Sequence, residues 1–521
     1  MRFRMVAIMS LCVELGLPQT GTGWQHLRRE GVAAYGRADY KEAARTLLDS
    51  KQQAEGGGAK PQELAAIWSE LAATYVALAR YAEAEALDRQ ALKLREQIFG
   101  PDSPLTALSL NSVGADLLQQ ARGKDAECLI SRAVAILEKL SPSDDRSLVT
   151  ALNNLGASYR AESRDSEARS IYERALSIAE RDAIQGAKAE ILSSLARLCS
   201  DHGEYAKANK LAHRALTIKE EAFGPDSGQT ADTLRLLGDV MGAEGLHREA
   251  DPLYRRALTI HEKVVGPTHI EVGRDLGRIA FNAHKLGNNE QAEGLLRRAL
   301  FIEEQTIGSQ RSEHAATLNN LGQVESAMGR WKEAEQLYKQ ALVIWEKTLG
   351  PDHPTQAAGL TNLGAIYESR QKYGQADALY RRALAIDEKR LGPENREIIF
   401  DLNNLGCVNV KRHRYGEAEA LLLRALALGE RIEGPDHPRT AAAARNLASF
   451  YARRKQYAEA ERYYRRAVPV LERTWPSSNP QLLSLLNDFV AVLRINHQYI
   501  DAERWELRAT NIRYRSALVN Q

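Results

Sequence analysis

The fold is decided by the stretch at residues 354–392, which reads PTQAAGLTNLGAIYESRQKYGQADALYRRALAIDEKRLG. In its first half, Leu360, Leu363 and Tyr367 recur at spacings of three and four residues, which predicts a helix with one apolar face. The second half carries a broader stripe of small and apolar residues, typical of a helix packed on two sides. Gly392 and the proline after it predict the end of that helix, because glycine readily adopts the left-handed closing conformation and proline cannot continue a helix. The stretch therefore predicts a helical hairpin.

This hairpin recurs along the chain with a period of 42 residues. Each copy carries an anchoring alanine, most often within Arg-Ala-Leu, and a second alanine seven residues before it. The anchors are Ala91, Ala133, Ala175, Ala215, Ala257, Ala299, Ala341, Ala383, Ala425, Ala467 and Ala509. Alanines two turns apart on one helix face let a neighbouring helix approach closely. Because the register extends back to a degenerate copy near Trp24, the sequence predicts an all-α solenoid of about twelve antiparallel helix pairs with one continuous core.

The composition of the chain excludes several classes of function. Its 521 residues carry a formal charge of +2, so no chain-wide field attracts nucleic acid or an acidic membrane. The four cysteines lie far apart without a CxxC pair, and no phosphate-binding loop, zinc-protease helix or serine-nucleophile motif occurs. His353 and His437 occupy the same linker position of two repeats, which favours a role in the turn over metal binding. We therefore expect no enzyme activity, no cofactor and no metal site.

The first 23 residues differ from the rest of the chain. Two arginines precede an apolar run from Met5 to Val13, as in a secretory signal, but Glu14 adjoins the run and no clear Ala-x-Ala cleavage site follows. The segment is interpreted either as a signal peptide or as an irregular cytoplasmic start, so the predicted location is exported or cytoplasmic accordingly. No stretch reaches the roughly 20 apolar residues that a membrane-spanning helix needs. The predicted division is residues 1–23, a degenerate first repeat with a glycine connector at 24–58, and the repeat array at 59–521.

The repeat unit resembles a known family. Leu363, Gly364 and Tyr367 on the first helix, with Ala376 and Tyr380 on the second, resemble the tetratricopeptide repeat pattern. The longer linker LGPDHP at 349–354 and the segment LNNLG at 318–322 are similar to the repeats of kinesin light chains and their many bacterial relatives. The resemblance implies a bacterial protein with a right-handed α-solenoid, whose first helices line a concave surface that takes peptides in other family members. It implies no motor activity, since no heptad coiled coil precedes the repeats.

Several packing roles follow from the repeat register. The aspartates after the Gly-Pro pairs, as at Asp352 and Asp436, are predicted to cap the next helix. Cys199 takes a slot held by tyrosine in other repeats and is interpreted as a packing residue, whereas Cys407 is expected to face the concave surface. The tyrosines at strict 42-residue spacing are interpreted as core residues: Tyr373, Tyr415, Tyr457 and Tyr499.

Asparagine recurs at one position of the first helices, although its amide competes for backbone hydrogen bonds inside a helix. The residues at this position are Asn154, Asn320, Asn362, Asn404 and Asn446. Two interpretations stay open and can coexist. The amides contact the backbone of an extended peptide, which is what the family resemblance implies for this position, or they bridge adjacent helices.

Further site residues are placed by the register of the family. It implies that Lys411, Arg445, Arg453 and Arg494 project into the same groove, with Asn319 and Asn403 beside the asparagine row. Because arginine binds carboxylates through charge-assisted hydrogen bonds, this patch predicts an acidic peptide or a carboxyl terminus as the guest, although a merely solvated face is the alternative. The predicted function is a non-enzymatic scaffold that binds a partner protein, chiefly through repeats 8 to 11. The alternative is a self-associating structural array.

Overall fold

The computed structural model describes residues 23–37, 39–78, 80–120, 122–139, 145–162, 164–309, 311–475 and 480–519. These residues form 24 α-helices in antiparallel pairs, one pair to each repeat. In chain order the helices are α1 (Trp24–Gly36), α2 (Tyr40–Gly56), α3 (Pro61–Ala77), α4 (Tyr81–Phe99), α5 (Pro104–Gln119), α6 (Gly123–Lys139), α7 (Asp145–Ala161), α8 (Asp165–Arg181), α9 (Gln185–Asp201), α10 (Tyr205–Phe223), α11 (Gly228–Glu244), α12 (His247–Val265), α13 (Ile270–Lys285), α14 (Asn289–Thr306), α15 (Ser312–Ala327), α16 (Trp331–Leu349), α17 (Pro354–Ser369), α18 (Tyr373–Leu391), α19 (Arg396–Lys411), α20 (Tyr415–Ile432), α21 (Pro438–Arg453), α22 (Tyr457–Thr474), α23 (Pro480–Ile495) and α24 (Tyr499–Val519).

The helices divide into two compact units. Unit 1 spans Met1–Ser309 and holds repeats 1 to 7, and unit 2 spans Gln310–Gln521 and holds repeats 8 to 12. In both units most odd-numbered helices of neighbouring repeats contact one another, as α19 does α21. The even-numbered helices of neighbouring repeats make no comparable contact within the described ranges. The odd-numbered helices therefore form the inner layer of each unit, as the predicted α-solenoid requires.

The two alanine series form the spine of the packing. All the anchoring alanines and their partners seven residues earlier are buried, with at most 2% of their surface exposed. Opposite them, the glycine of the first helix receives a large side chain from the second. A Cβ atom on Gly364 would lie 2.7 Å from the Tyr380 ring, and one on Gly156 would lie 2.5 Å from the Tyr172 ring. Smallness at these positions is therefore what allows the two helices of a repeat to approach.

The ends of the second helices agree with the sequence analysis. Gly350, Gly392 and Gly434 adopt φ angles of +89°, +84° and +89°, in the left-handed region that favours glycine. The capping prediction was wrong by one residue, because the side chain that caps the next helix follows the aspartate. His353 accepts a hydrogen bond from the backbone N–H of Thr355, and the aspartate before it pairs with Lys389 instead.

The capping histidines confirm the turn role expected of this linker position. The Nδ1 atoms of His269, His353 and His437 each accept a backbone N–H bond of 3.2 Å, while Asn395 provides its Oδ1 at the same place. Burial lowers the pKa of His353 below its usual value. A neutral imidazole is the form that can accept this bond.

The periodic tyrosines and Cys199 differ in how deeply they are buried. Tyr373, Tyr415 and Tyr457 lie only partly buried at the edge of the core, and Tyr499 is 57% exposed, so the core assignment was wrong for the last of them. Cys199 is fully buried among apolar side chains, which confirms its packing role.

Two sequence predictions concern the amino terminus and membranes. The suggested signal at 1–23 lies outside the described residues, apart from residue 23. Among the described helices, none combines the length and apolar character needed to cross a membrane.

Candidate functional site

The inner layer of unit 2 presents one continuous accessible face. On α19 it consists of Phe400, Asn404, Cys407 and Lys411, whose spacings of four, three and four residues put them on one side of the helix. We call the equivalent residues of repeats 8 to 12 the inner face of unit 2. The other members are Ala316, Asn320, Gln323, Ala327, Ala358, Asn362, Ala365, Ser369, Ala442, Asn446, Ser449, Arg453, Ser484, Asp488, Ala491 and Ile495, and each is partly or fully exposed. Most are small, which leaves room beside the few long side chains.

Three of the predicted asparagines bridge adjacent helices. The amide Nδ2 of Asn362 donates to Oδ1 of Asn319 at 3.0 Å, and that of Asn446 donates to Oδ1 of Asn403 at the same distance. In unit 1, Asn154 donates in the same way to Asn111 at 2.9 Å. Asn319 and Asn403 are only 8% exposed. Their side chains are thus largely buried at the repeat boundary, and direct contact between these two residues and a guest stays a prediction.

The other two asparagines of the row have no such bond. Asn320 and Asn404 are partly exposed on the inner face, and their side chains make no hydrogen bond with the described part of the chain. The difference arises one repeat earlier. The residue that would accept from Asn404 is Thr361 rather than asparagine. The row therefore alternates between occupied and free amides.

The predicted basic residues are largely compensated by local partners. Lys411 lies 2.9 Å from Glu368, and Arg494 lies 2.5 Å from Glu506. Arg445 donates to Oδ1 of Asn446 and stacks its guanidinium 5.5 Å from the centre of the Trp475 ring. The predicted patch is thus less positive than its sequence implies.

Arg453 differs from the other predicted basic residues because no acidic side chain of the described residues pairs with it. It is exposed, and its guanidinium forms no ion pair with the residues that the structure describes. Burial raises the pKa of Asp488 on the next inner helix, and the charges of Arg445 and Arg453 act in the opposite direction. The arginines and Asp488 thus share one end of the inner face, where the local field is positive but partly balanced.

A hydrogen-bonded chain crosses the inner layer beside Cys407. The hydroxyl of Tyr380 donates to Oε2 of Glu368 at 2.8 Å, and Lys411 pairs with the other carboxylate oxygen. Cys407 is partly buried next to this chain, as expected for a residue facing the inner side. Burial and the Glu368 charge raise the pKa of Cys407 to about 11. The thiol therefore stays protonated near neutral pH, which disfavours nucleophilic chemistry.

Phe400 belongs to this surface and was missed in the sequence analysis. Its side chain is 57% exposed, one turn before Asn404 on the inner face. The equivalent residues of the neighbouring repeats are Ala358 and Ala442, so the ring stands between two small residues. Counting back four residues from the asparagine row would have found it. It is an exposed apolar contact point on an otherwise small and polar surface.

Two buried acids lie behind this face, between repeats 9 and 10. Asp387 on α18 and Asp401 on α19 are 8% and 5% exposed, and each has one carboxylate oxygen without a hydrogen-bond partner. Burial raises the pKa of Asp387 to about 6, and burial with the neighbouring Asp387 charge raises that of Asp401 to about 8. Two carboxyl groups this close cannot both ionise without cost, so the pair retains a proton near neutral pH.

In unit 1 the same helix position has other occupants. Glu70 occupies it in repeat 2 and forms a fully buried bidentate ion pair with Arg28 of repeat 1, with bonds of 2.8 and 2.7 Å. Leu236 occupies it in repeat 6 and is 3% exposed. The isolated Asn154 is therefore not part of a continuous row.

Repeats 6 and 7 hold the one group of described residues with spacing suited to a metal ion, Asp232, His261 and Glu271. Arg235 lies among these residues, with ion pairs of 2.6 Å to Asp232, 2.8 Å to Glu271 and 3.1 Å to Asp275. Burial alone would lower the pKa of His261, but its 2.6 Å hydrogen bond with Asp275 raises it. The guanidinium already supplies the positive charge, so the arrangement is an internal ion-pair network.

This helical architecture and repeat length match a known family across most of the chain. The description "Tetratricopeptide repeat" applies to residues 63–139, 147–221, 187–263, 229–305, 313–389 and 399–473. The chain belongs to the tetratricopeptide repeat family. Tetratricopeptide repeat proteins are typically non-enzymatic scaffolds for protein partners. No curated protein matches the sequence.

Several solved structures are similar to this chain. A Rap protein complexed with competence and sporulation factor is 16% identical, with a TM-score of 0.51 over 71% of this chain and 98% of its own. BtubC from P. vanneervenii is 22% identical over 44% of this chain and 91% of its own, with a TM-score of 0.37. A putative kinesin light chain from Podospora anserina is 24% identical over 40% and 98%, with a TM-score of 0.35. The Rap likeness supports the fold.

Proposed function

We propose that this protein is a non-enzymatic scaffold whose unit 2 binds an extended segment of a partner protein along its inner face. The observation that carries the proposal is the free amide of Asn404, with that of Asn320 two repeats before it. A primary amide offers a donor and an acceptor together, which matches the repeating C=O and N–H groups of an extended backbone. An amide held on a helix without a partner in the fold is suited to bind such a guest.

The charge of the guest follows from the cations that remain available. Arg453 has no ion pair among the described residues, and Arg445 is oriented by Trp475 and Asn446. A carboxylate of the guest is therefore expected near these two arginines rather than near Lys411 or Arg494, which already have acidic partners. Charge-assisted hydrogen bonds from arginine to carboxylate are short and directional. This supports a guest with an acidic side chain or a carboxyl terminus at that end.

A solved example shows that a protein of this architecture holds a partner. The similar Rap protein was crystallised with competence and sporulation factor bound. At 16% identity it supports the fold of this chain. The contacts proposed here rest on the residues of unit 2.

The proposal is tested by selecting ligands and then removing the free amide. A random peptide library displayed on phage is selected against the immobilised full chain, and the affinity of the selected peptides is measured by fluorescence anisotropy. We expect Asn404→Ala to weaken the selected peptides by about tenfold, because one buried hydrogen bond is lost. Thr361→Asn is the sharper variant, since it supplies the missing acceptor to Asn404 without altering the inner face, and it is expected to weaken the same peptides.

Charge is tested with a matched pair of arginines. Arg453→Ala should weaken peptides that contain Asp or Glu, and the effect should shrink at high salt. Arg382→Ala is the control, because Arg382 is similarly exposed on the outer layer and its nearest acid is 3.9 Å away. Selected peptides that keep their affinity for Asn404→Ala, Thr361→Asn and Arg453→Ala would refute binding at this face. Light scattering of the free chain addresses the alternative, since a concentration-dependent oligomer that excludes the selected peptides favours self-association.

A further inference from the structure

Unit 1 contains a contact between repeats that are far apart along the chain. Nη2 of Arg274, on the first helix of repeat 7, donates to the hydroxyl of Tyr81 in repeat 2 at 3.1 Å, across 193 residues. In a stack of repeats each unit needs to contact only its neighbours. A bond between repeats 2 and 7 is therefore additional to the packing that builds the solenoid.

The same two regions also share apolar contacts. Ile270 and Ile307 of repeat 7 are 3% and 9% exposed, and both belong to a buried cluster with Leu71 and Tyr75 of repeat 2. The rings of Tyr40 in repeat 1 and His269 in repeat 7 lie 5.5 Å apart, centre to centre. Hydrophobic, aromatic and hydrogen-bonded contacts thus coincide at one place, which indicates a specific interface rather than a chance approach.

The residues that make this interface depart from the repeat pattern. Ile270 stands where repeats 9 and 11 have proline, and Arg274 stands where repeats 8, 9 and 11 have alanine. Neither change is needed for stacking, since the alanine spine of repeat 7 is intact. Glu271 holds Arg274 in place through a 2.6 Å ion pair and is itself held by Arg235 at 2.8 Å. The arginine is therefore oriented from within repeat 7 before it reaches the tyrosine.

We propose that repeats 1–2 and repeat 7 form a latch that opens without unfolding the helical hairpins, and that it gates access to the inner face of unit 1. These contacts join single side chains of distant repeats, whereas each repeat is held to its neighbours by whole helices. Local openings of this kind have lower free energies than global unfolding. In repeat 5, Arg197 on α9 takes the helix position that Cys407 takes on the inner face of unit 2, and its side chain is exposed.

Hydrogen exchange on the full chain tests whether the interface opens by itself. Tyr81→Phe removes the acceptor hydroxyl and keeps the ring, so exchange should rise by about tenfold at the starts of α4 and α13 and nowhere else. The control is Tyr205→Phe, because Tyr205 begins the second helix of repeat 5 at the equivalent position and its hydroxyl bonds to none of the described residues. A rise spread through all of unit 1 would overturn the proposal, since the contact would then belong to the cooperative core.

Access to the inner face is measured with a cysteine placed by Arg197→Cys. Each thiol is labelled with a small maleimide or with a maleimide on a long polyethylene glycol chain, and mass spectrometry resolves the sites. Adding Ile270→Ala should accelerate the large reagent at residue 197 at least about fivefold, while the small reagent and the exposed native Cys128 react as before. Equal rates for the large reagent with and without Ile270→Ala, in protein whose helicity is unchanged, would refute the gate.

Discussion

The asparagine row allows a direct comparison of two equivalent residues with different roles. Asn362 and Asn404 occupy the same position of successive first helices, and both are partly exposed. Only Asn362 bonds across the repeat boundary, to Asn319 at 3.0 Å. Replacing each by alanine removes the same atoms from the same face, so any difference in stability measures the cross-repeat bond.

The magnitude of each effect can be worked out from these contacts. Asn362→Ala loses a hydrogen bond and leaves the buried Oδ1 of Asn319 without its partner, which together cost about 1.5–2.5 kcal/mol. The better helix propensity of alanine returns about 0.5 kcal/mol. The net cost for Asn362→Ala is therefore about 1–2 kcal/mol. Asn404→Ala breaks no such bond and is expected to be neutral or about 0.5 kcal/mol more stable.

Hydrogen exchange is the appropriate assay, because a stack of repeats does not unfold in a single two-state step. With Asn362→Ala, exchange in α15 and α17 should be about 5- to 30-fold faster. With Asn404→Ala, exchange in α17 and α19 should match the wild type or be slower. Equal destabilisation by both variants would refute the reasoning, since the amide would then stabilise its own helix and not the neighbouring repeat.

Three further predictions concern packing and pH in unit 2. Gly364→Ala places a Cβ against a buried tyrosine ring and should cost about 1–3 kcal/mol, whereas Gly374→Ala faces open space and should stabilise by up to about 1 kcal/mol; local hydrogen exchange distinguishes them. Asp387 and Asp401 have raised pKa values in the fold, so their contribution is present below pH 4 and is lost as the pH rises through about 6 and 8. Asp401→Asn should therefore be about 1–3 kcal/mol more stable than wild type at pH 8.5, with a smaller difference at pH 5, measured by hydrogen exchange in α18 and α19. His353 has a lowered pKa, so its cap is present above pH 6.5 and is lost as the pH falls; His353→Asn should remove about 1 kcal/mol of that acid sensitivity, measured by exchange at the start of α17.

The results that would contradict these three are also specific. If Gly374→Ala destabilised as strongly as Gly364→Ala, backbone freedom and not the ring contact would explain the glycines. If the advantage of Asp401→Asn did not grow with pH, the two acids would not share a proton. If His353→Asn left the pH dependence of α17 unchanged, the histidine cap would not titrate in this range.

The periodic features of the fold could be predicted from the sequence because they obey local rules. The buried alanines, the glycines that end the second helices and the inner position of the asparagines each depend on spacing within one repeat. The capping residue was misplaced because histidine was not considered as an acceptor, although its neutral ring can serve. The partners of Asn362 and Asn446 could not be inferred in the same way, because each depends on a residue at a different position of the preceding repeat.

The contact between Arg274 and Tyr81 shows why longer-range features lie beyond such reasoning. No single motif encodes the small rotation between neighbouring repeats. Repeats 2 and 7 are separated by five repeat boundaries, and the five rotations together determine which of their residues meet. The sequence marks only that Arg274 and Ile270 are unusual for their positions. The partners of these two residues can be identified only in the three-dimensional structure.

The alternation within the asparagine row suggests how such a scaffold sets its specificity. The row itself is uniform over four successive repeats, so its residues alone cannot determine which amides a guest can use. The residue that determines whether an amide is free lies in the preceding repeat, one position before the asparagine of that repeat. Asn319 and Asn403 occupy this position and accept a hydrogen bond from the next amide, whereas Thr361 does not. Since Thr361 is only 7% exposed, a largely buried residue determines whether the amide of Asn404 is free. If the inner face binds a guest as proposed, its selectivity can change through buried positions while the exposed surface stays the same.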